Sequence, residues 1–282
     1  MNTKFTSVII FALFTSVTLG QSKIKGNKNV TIIQTEINSF NKLVLGEKFT
    51  VSLIKDDVAS IEIKTDENLH DVIKFNVSDS ILRLKSTKRI TSKKELEIII
   101  RYTESLNEIE LNDDAELNSV NAIDNSNVVL RLNDDAKANL NLRTHTFKLI
   151  NNNRSTLKLN ARSRFNIDSK LVELELNESS SSEALITCDS LKLDMYQRAF
   201  AKIEGDVKFL NANTINSSNF IGKNLAVNYC EIIAEDSSDF EIQALDDIII
   251  ESSGSSEVSI YGDPKITINK FSDTARLYKK DL

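Results

Sequence analysis

The 282-residue chain contains no tryptophan, a single proline (Pro264), seven glycines and two cysteines. A β-sandwich or barrel of this length normally places many more prolines and glycines in its turns, so their scarcity argues against both folds. Two cysteines cannot build the dense disulfide framework of a small secreted domain. With no tryptophan and only five tyrosines, an aromatic-walled cleft for sugar processing is disfavoured too.

Histidine is almost as scarce. His70 and His145 are the only two, and they lie far apart in the sequence. A zinc site draws most of its ligands from His and Cys. A serine hydrolase needs a nucleophile elbow in addition to its His, and neither histidine has one nearby. The sequence therefore predicts no catalytic residues and no cofactor, and we expect the protein not to be an enzyme.

The first 20 residues have the pattern of a signal peptide. Lys4 supplies the positive start, the segment 8–17 is apolar, and Gly20 ends the segment with a small residue before Gln21. The apolar stretch is too short to span a bilayer, and no later stretch is long enough for a membrane helix. We therefore expect residues 1–20 to be removed on export.

The chain is mildly acidic, with a net charge of −6. Removing residues 1–20 takes away Lys4 and no acid, so 34 basic and 41 acidic residues leave −7. Binding to nucleic acid needs clustered Lys and Arg that neutralise phosphates, and such clusters are short here. The charge therefore argues against nucleic acid and anionic membrane as partners. The expected partner is an envelope protein or a glycan.

Residues 21–105 are predicted to form an N-terminal β region that caps or starts the rest of the fold. Apolar residues alternate with polar ones in four stretches, which is typical of strands with one buried face. The alternating sets are Phe49, Val51 and Leu53; Ile61 and Ile63; Leu82 and Leu84; and Leu96, Ile98 and Ile100.

Residues 106–282 repeat a shorter apolar pattern about every 19 residues. Two inward positions can be followed through nine units, with steps of 21, 17, 25, 19, 19, 20, 18 and 18 residues. The 25-residue step predicts an extra loop near 161–169. The first column is Ile109, Leu130, Phe147, Val172, Leu191, Leu210, Cys230, Ile248 and Ile266, and the second is Leu111, Leu132, Leu149, Leu174, Leu193, Ala212, Ile232, Ile250 and Ile268.

This period is too short for repeats of helical pairs and fits one turn of a β-helix. A single turn has too little apolar surface to fold alone, but stacked turns bury each inward side chain between similar neighbours. The sequence therefore predicts an all-β protein, a right-handed, single-stranded parallel β-helix (β-solenoid) with the N-terminal region as its cap. Phe220 and Phe240, one unit apart, are predicted to stack inside it.

In five of the units short polar residues follow the strand, and they suit tight corners, where stacked groups can also bond between turns. At two corners the residues are paired aspartates, Asp113 with Asp114 and Asp134 with Asp135. Their simplest role is to cap backbone N–H groups. Four stacked carboxylates could instead bind calcium through oxygen ligands, or resemble the acid pair of a β-helical glycosidase. The corner segments are 112–115, 133–136, 217–220, 237–240 and 255–258.

Cys188 and Cys230 are the only candidates for a disulfide in an exported protein. Cys230 falls in the inward column about two turns from Cys188, or roughly 9.6 Å by strand spacing. That distance is too large for an undistorted disulfide, so we expect Cys230 to be a small buried apolar residue, with pairing as the alternative.

The sequence resembles the bacterial head GIN domain family, whose members are described, by analogy, as auto-transporter adhesins. The likeness extends over nearly the whole mature chain and is carried by segments 40–45 and 61–69, by the serine corners and by the Tyr-Gly-Asp-Pro turn at 261–264. Most of the glycines in the corners of the family are Ser, Asp or Asn here. The resemblance implies a β-solenoid, secretion and a Bacteroidota-like source, and it supplies no catalytic residues.

We therefore expect a non-enzymatic β-solenoid with an adhesin-like binding or scaffolding role. Its expected location is secreted, periplasmic or on the outer surface of a Gram-negative bacterium. Two alternatives remain open at this point. One is a carbohydrate-active β-helix enzyme, a lyase or a glycosidase. The other is a structural module that self-associates, for which a homo-oligomer is expected.

Overall fold

A computed structural model describes residues 22–159 and 167–282. The expected signal peptide (residues 1–20) and most of the expected loop near 161–169 lie outside the described residues. Within them, no helix is long and apolar enough to cross a membrane.

The described chain is built almost entirely of β-strands, with one short 3₁₀ helix at Glu67–Leu69. The strands of the N-terminal part are β1 (Lys23–Lys25), β2 (Val30–Glu36), β3 (Lys42–Leu45), β4 (Thr50–Lys55), β5 (Ser60–Asp66), β6 (Ile73–Ser78), β7 (Ile81–Ser86), β8 (Arg89–Ser92) and β9 (Leu96–Tyr102).

The strands of the repeating part are β10 (Glu108–Leu111), β11 (Glu116–Ser119), β12 (Ile123–Asp124), β13 (Asn127–Leu132), β14 (Lys137–Leu140), β15 (Leu142–Arg143), β16 (Thr146–Asn151), β17 (Thr156–Leu159), β18 (Ile167–Leu176), β19 (Ser181–Met195), β20 (Phe200–Thr214), β21 (Asn219–Ala234), β22 (Asp239–Ser252), β23 (Glu257–Tyr261), β24 (Lys265–Phe271) and β25 (Arg276–Lys280).

From β10 onward every pairing is parallel and joins one turn to the next, which is the topology of a β-solenoid. The chain crosses a first wall, turns a corner, crosses a second wall and returns along a short third side. β10, β13 and β16 belong to the first wall, and β11, β14 and β17 to the second. The short β12 and β15 form the third side. The predicted all-β parallel solenoid is confirmed.

The predicted interior columns are present along most of the solenoid. Leu193 pairs with Ala212, Ala212 with Ile232, and Ile232 with Ile250, and all four are buried. The rings of Phe220 and Phe240 lie one above the other, 4.7 Å apart and fully inside, as predicted. Each apolar side chain is therefore shielded from water by its counterparts in adjacent turns, which is the main stabilising contribution in a stacked fold.

The register between the second and third predicted units was wrong by two residues. Leu130 pairs with Leu149, a step of 19 residues, whereas Phe147 pairs with Val128. A shift of two residues keeps the same side chains facing inward, so apolar alternation alone does not distinguish the two registers. The correct register places Asn151 beside Leu132, where its buried amide donates to the Ser182 hydroxyl at 3.1 Å.

The corner between the two walls sets the register. In turn after turn one corner residue has a positive φ, among them Asp113 (57°), Asp134 (59°) and Asn153 (59°). This region is unfavourable for side chains other than glycine, although Asn and Asp tolerate it best. The residue after each one donates its backbone N–H to the corner residue of the preceding turn, as Asp135 does to Asp113 at 2.9 Å.

Asparagines form a ladder just before these corner residues. The amide of Asn133 donates to Asn112 at 2.8 Å, that of Asn152 to Asn133 at 2.8 Å, and that of Asn177 to Asn152 at 3.0 Å. Hydrogen bonds between turns were expected from the short polar corner residues, and the ladder confirms them.

The N-terminal part begins the solenoid and then departs from its topology. β3 and β4 pair in parallel with β10 and β11, so the segment 42–55 is a turn in register with the rest. Beyond it, β7 pairs with β3 and β9 with β4. β5 and β6 then add antiparallel strands, and β2 forms the outer edge beyond β5.

At the other end, β24 and β25 are strands of the two walls and pair with β22 and β23. The charged segment 276–280 therefore extends a wall and does not fold over it. Ile266 and Ile268, which continue the buried columns, are 41% and 49% exposed. Their apolar surface lies in the last described turn, at the edge of the stack.

Candidate functional site

The structure brings the four predicted aspartates to one corner, where two of them cap backbone groups. The Asp113 carboxylate accepts the backbone N–H of Glu47 at 2.8 Å, and the Asp134 carboxylate accepts that of Asp113 at 3.3 Å. Asn153 also donates its amide to Asp134 at 3.0 Å. Each carboxylate thus binds an N–H of the preceding turn, which is the capping role expected for short acidic side chains.

The other two aspartates are paired with basic side chains. Asp114 lies 2.9 Å from the Lys48 ammonium, and Asp135 receives two hydrogen bonds from Arg154, at 2.9 and 2.7 Å. The hydrogen bond to Asp135 raises the pKa of Arg154. Over 22–159 and 167–282, no group of three or more His, Cys, Asp or Glu residues is arranged to hold a metal ion. Calcium at these aspartates stays a prediction.

The two cysteines are free and buried. Burial raises the pKa of both the Cys188 and Cys230 thiols to about 12, with the nearby Asp189 contributing at Cys188. Cys230 lies in the inward column beside Leu210 and Ile248, as expected for a small apolar residue. The structure contains no disulfide between Cys188 and Cys230, which was the alternative expectation.

The histidines lie in different parts of the molecule. The His70 ring is 3.1 Å from the Thr31 hydroxyl in the N-terminal part, whereas His145 lies on the third side of the solenoid. The structure therefore does not bring the two rings together.

An open groove of about 800 Å³ runs along the third side. Two ion pairs bridge successive turns in it, Arg143 with Asp124 at 3.6 Å and Lys208 with Asp189. The hydrogen bond from Lys208 lowers the pKa of Asp189. Separate turns contribute the lining residues, so no local sequence motif reveals the groove. Its polar lining includes Asp124, Arg143, His145, Asp189, Lys208 and Asn228.

Two stacked aromatic rings lie at the edge of this groove, in a cluster we call the aromatic corner: Phe209 and Tyr229, flanked by Lys208, Asn228, Asn211 and Glu231. Phe209 and Tyr229 pair in register, and their rings are 5.3 Å apart with an interplanar angle of 17°. They are 54% and 45% exposed. Lys208 and Asn228, each one residue earlier, line the groove.

Sequence reasoning missed the aromatic corner, although the sequence contained the signal. Phe209 directly precedes Leu210, and Tyr229 directly precedes Cys230, and both of these later residues are in the inward column. Successive side chains of a strand point to opposite faces, so both rings had to point outward.

Comparisons with solved structures support the fold. The crystal structure of a protein described as a "putative adhesin" from Parabacteroides distasonis superposes with a TM-score of 0.66 at 14% identity, covering 93% of this chain and 100% of that one. One with the same description from Parabacteroides merdae gives 0.65 at 13% identity, covering 92% and 99%. A "putative lipid binding protein" from P. distasonis gives 0.60 at 13% identity, covering 92% and 100%. No curated protein sequence matches the chain significantly.

The fold thus defines the class of a parallel β-solenoid shared with bacterial proteins described as adhesins. The family described as "Putative auto-transporter adhesin, head GIN domain" matches residues 39–164 and 158–264. The chain belongs to this family, as the resemblance in its sequence indicated.

Proposed function

We propose that this protein is a secreted or envelope-associated binding or scaffolding protein without catalytic activity, which presents the outer faces of its solenoid to a partner. The observation that carries the proposal is the in-register stacking of turns, which arranges outward side chains in columns at a constant spacing. The asparagine ladder from Asn112 to Asn177 is one such column. Solenoid proteins bind through extended surfaces of this kind.

The family description, which names adhesins, supports an adhesin-like role. The pattern of residues 1–20 supports export. The Parabacteroides structures with the same fold support an envelope or extracellular location in a bacterium of that group.

Two measurements test this proposal. The first expresses the full chain in a Bacteroidota host and sequences the N-terminus of the mature product. We expect the product outside the cytoplasm, beginning at Gln21, and a variant lacking residues 2–20 to stay in the cytoplasm. Retention of the complete chain in the cytoplasm would contradict export.

The second measurement applies the labelled mature protein to intact bacterial and epithelial cells and measures adherence by flow cytometry. We expect saturable binding to at least one surface, without chemical change to that surface. Absence of binding to all surfaces would contradict the adhesin-like role. Release of soluble sugars from a polysaccharide would instead support the alternative role of a carbohydrate-active enzyme.

Self-association is a second candidate role, favoured by the exposed edge at β24 and β25. An unpaired strand edge offers backbone N–H and C=O groups to another chain, and Ile266 and Ile268 add exposed apolar surface. We expect light scattering to show a mass that rises with concentration, and Ile268→Lys to suppress the rise. A monomer at all concentrations would exclude this role.

A further inference from the structure

We propose that the aromatic corner is a binding site for a neutral glycan, with Phe209 and Tyr229 as the stacking platform. The inference rests on the proposed binding function and gives it a location and a ligand class. Isolated exposed apolar residues are common on protein surfaces and need no explanation. Here, however, two aromatic rings are exposed side by side, in register and stacked.

The rings stand out from their own column. In the adjacent turns the equivalent positions are Ser190 and Asp247, both polar. Nothing in the backbone pairing requires an aromatic residue at either position. Keeping two large apolar side chains half in water forgoes the stabilisation that burial would give, about 25 cal/mol for each Å² left exposed.

Polar groups flank the rings on both sides at the spacing of the turns. On one side, the Asn228 amide donates to Asp246 at 2.8 Å, and Lys208 is paired with Asp189. On the other side, the Asn211 amide donates to Glu231 at 3.4 Å. These planar amide and carboxylate groups therefore line both edges of the apolar platform.

A pyranose ring matches this arrangement, because it has a C–H face that stacks on aromatic rings and hydroxyl groups around its rim. Amides can donate to and accept from neighbouring hydroxyls, and carboxylates can accept from them. Adjacent strands are about 4.8 Å apart, so the two stacked rings form one continuous platform across two turns.

The size of the platform favours a glycan over a protein. An aromatic side chain presents about 150–250 Å². With each ring about half exposed, the pair offers an apolar area of one side chain, far less than the roughly 800 Å² that each partner buries in a standard protein interface. The rings alone are too small to anchor a protein, but they are large enough to stack against sugar rings.

The charge around the rings favours a neutral sugar. Carboxylates and ammonium groups are equal in number in this neighbourhood, with Asp189, Glu231, Asp246 and Asp247 on one side and Lys170, Lys192, Lys208 and Lys265 on the other. With no excess of positive charge, this surface offers no net attraction to an anionic glycan.

The test uses native gels that contain soluble glucan, mannan, xylan or galactan as neutral probes, and polygalacturonate as the anionic probe. We expect at least one neutral polysaccharide to retard the mature wild-type protein. Phe209→Ala combined with Tyr229→Ala should weaken that binding at least about tenfold. Tyr229→Phe, which keeps the ring, should retain it.

A matched control removes two exposed rings elsewhere. Phe271→Ala with Tyr278→Ala acts on residues 43% and 37% exposed in β24 and β25. This variant should bind as the wild type does, and circular dichroism should show that both double variants are folded. If the aromatic variant fails to fold, Asn211→Ala with Asn228→Ala tests the flanking groups with the rings intact, and it should also weaken binding.

Three outcomes would overturn the glycan site: no retardation by any neutral polysaccharide, equal retardation of the wild type and the aromatic variant, or retardation by polygalacturonate alone. Cell adherence separates this site from the broader function. Adherence that survives periodate oxidation of sugars but is lost after protease treatment of the cells would identify a protein partner. The glycan site would then be wrong and the adhesin-like function would stand.

Discussion

The Asp134 carboxylate accepts the backbone N–H of Asp113, one turn earlier in the solenoid, at 3.3 Å. Both residues have a positive φ, a region that costs most side chains about 1–2 kcal/mol. Asp113 and Asp134 therefore act as successive caps, each accepting a backbone N–H of the preceding turn. This relationship explains why short polar residues recur at the corner in place of glycine.

Replacing Asp134 by alanine should lower the free energy of unfolding by about 2 kcal/mol, because it removes the bonds to Asp113 and Asn153 and leaves alanine at a positive φ. Asp134→Asn, which keeps an acceptor, should cost less. Asp135→Ala is the matched control, since it removes only an exposed ion pair, and such pairs contribute little to stability. Urea denaturation measures all three, and equal losses at the two positions would contradict the capping role.

Calcium binding by Asp113, Asp114, Asp134 and Asp135 is the alternative prediction for the same corner. An ion would have to compete with Lys48 and Arg154, which already pair with two of the carboxylates. We therefore expect the same melting midpoint in excess calcium as in a calcium chelator. A midpoint that rises with calcium, and no longer does so in Asp114→Asn with Asp135→Asn, would demonstrate a calcium site.

Cys188 and Cys230 should react very slowly with a thiol reagent in the native protein. Burial raises the pKa of both thiols to about 12, so almost no reactive thiolate forms near neutral pH. After denaturation, and without prior reduction, the protein should react with two equivalents of the reagent. Recovery of both thiols only after reduction would show that the cysteines form a disulfide after all.

We propose that the N-terminal region caps the solenoid, since its antiparallel strands end the parallel stacking. Deleting residues 27–102 should expose Ile109 and Leu117, which pair with Leu43 and Val51 in the intact chain. The truncated chain should sediment on centrifugation under conditions in which the full mature chain remains in solution. A soluble, folded fragment with the circular dichroism of a β protein would refute the capping role.

Most of the repeating core could be predicted from the sequence, because each inward position must be apolar in every turn. Ala212 and Ile232 were placed in contact on that basis, and the structure confirms it. The register of Leu130 could not be predicted in the same way. A shift of two residues leaves the inward pattern unchanged, and only the corner hydrogen bonds select the partner Leu149.

The groove and the aromatic corner were less predictable than the core. The groove takes residues from several turns, and its ion pairs, such as Arg143 with Asp124, depend on a register that must be known first. The outward direction of Tyr229, in contrast, could be predicted without the register, because Tyr229 directly precedes the inward-facing Cys230. Composition gives only the number of aromatic residues, and it does not tell which of them are exposed side by side in adjacent turns, as Phe209 and Tyr229 are.

Disulfide formation between introduced cysteines tests the stacking of residues about nineteen positions apart most directly. Glu183 and Lys202 are exposed register partners in adjacent turns, and Ile221 is the partner of Lys202 in the next turn. In a chain with Cys188→Ala and Cys230→Ala, Glu183→Cys with Lys202→Cys should oxidise readily, because adjacent strands are about 4.8 Å apart.

Glu183→Cys with Ile221→Cys, two turns apart at about 9.6 Å, is the matched pair and should stay reduced. Peptide mapping by mass spectrometry identifies the linkage in each variant. Stacked turns should give a 183–202 disulfide and no 183–221 disulfide. Equal oxidation of the two pairs, or a preference for the 183–221 linkage, would contradict the stacked interior from which the rest of the account follows.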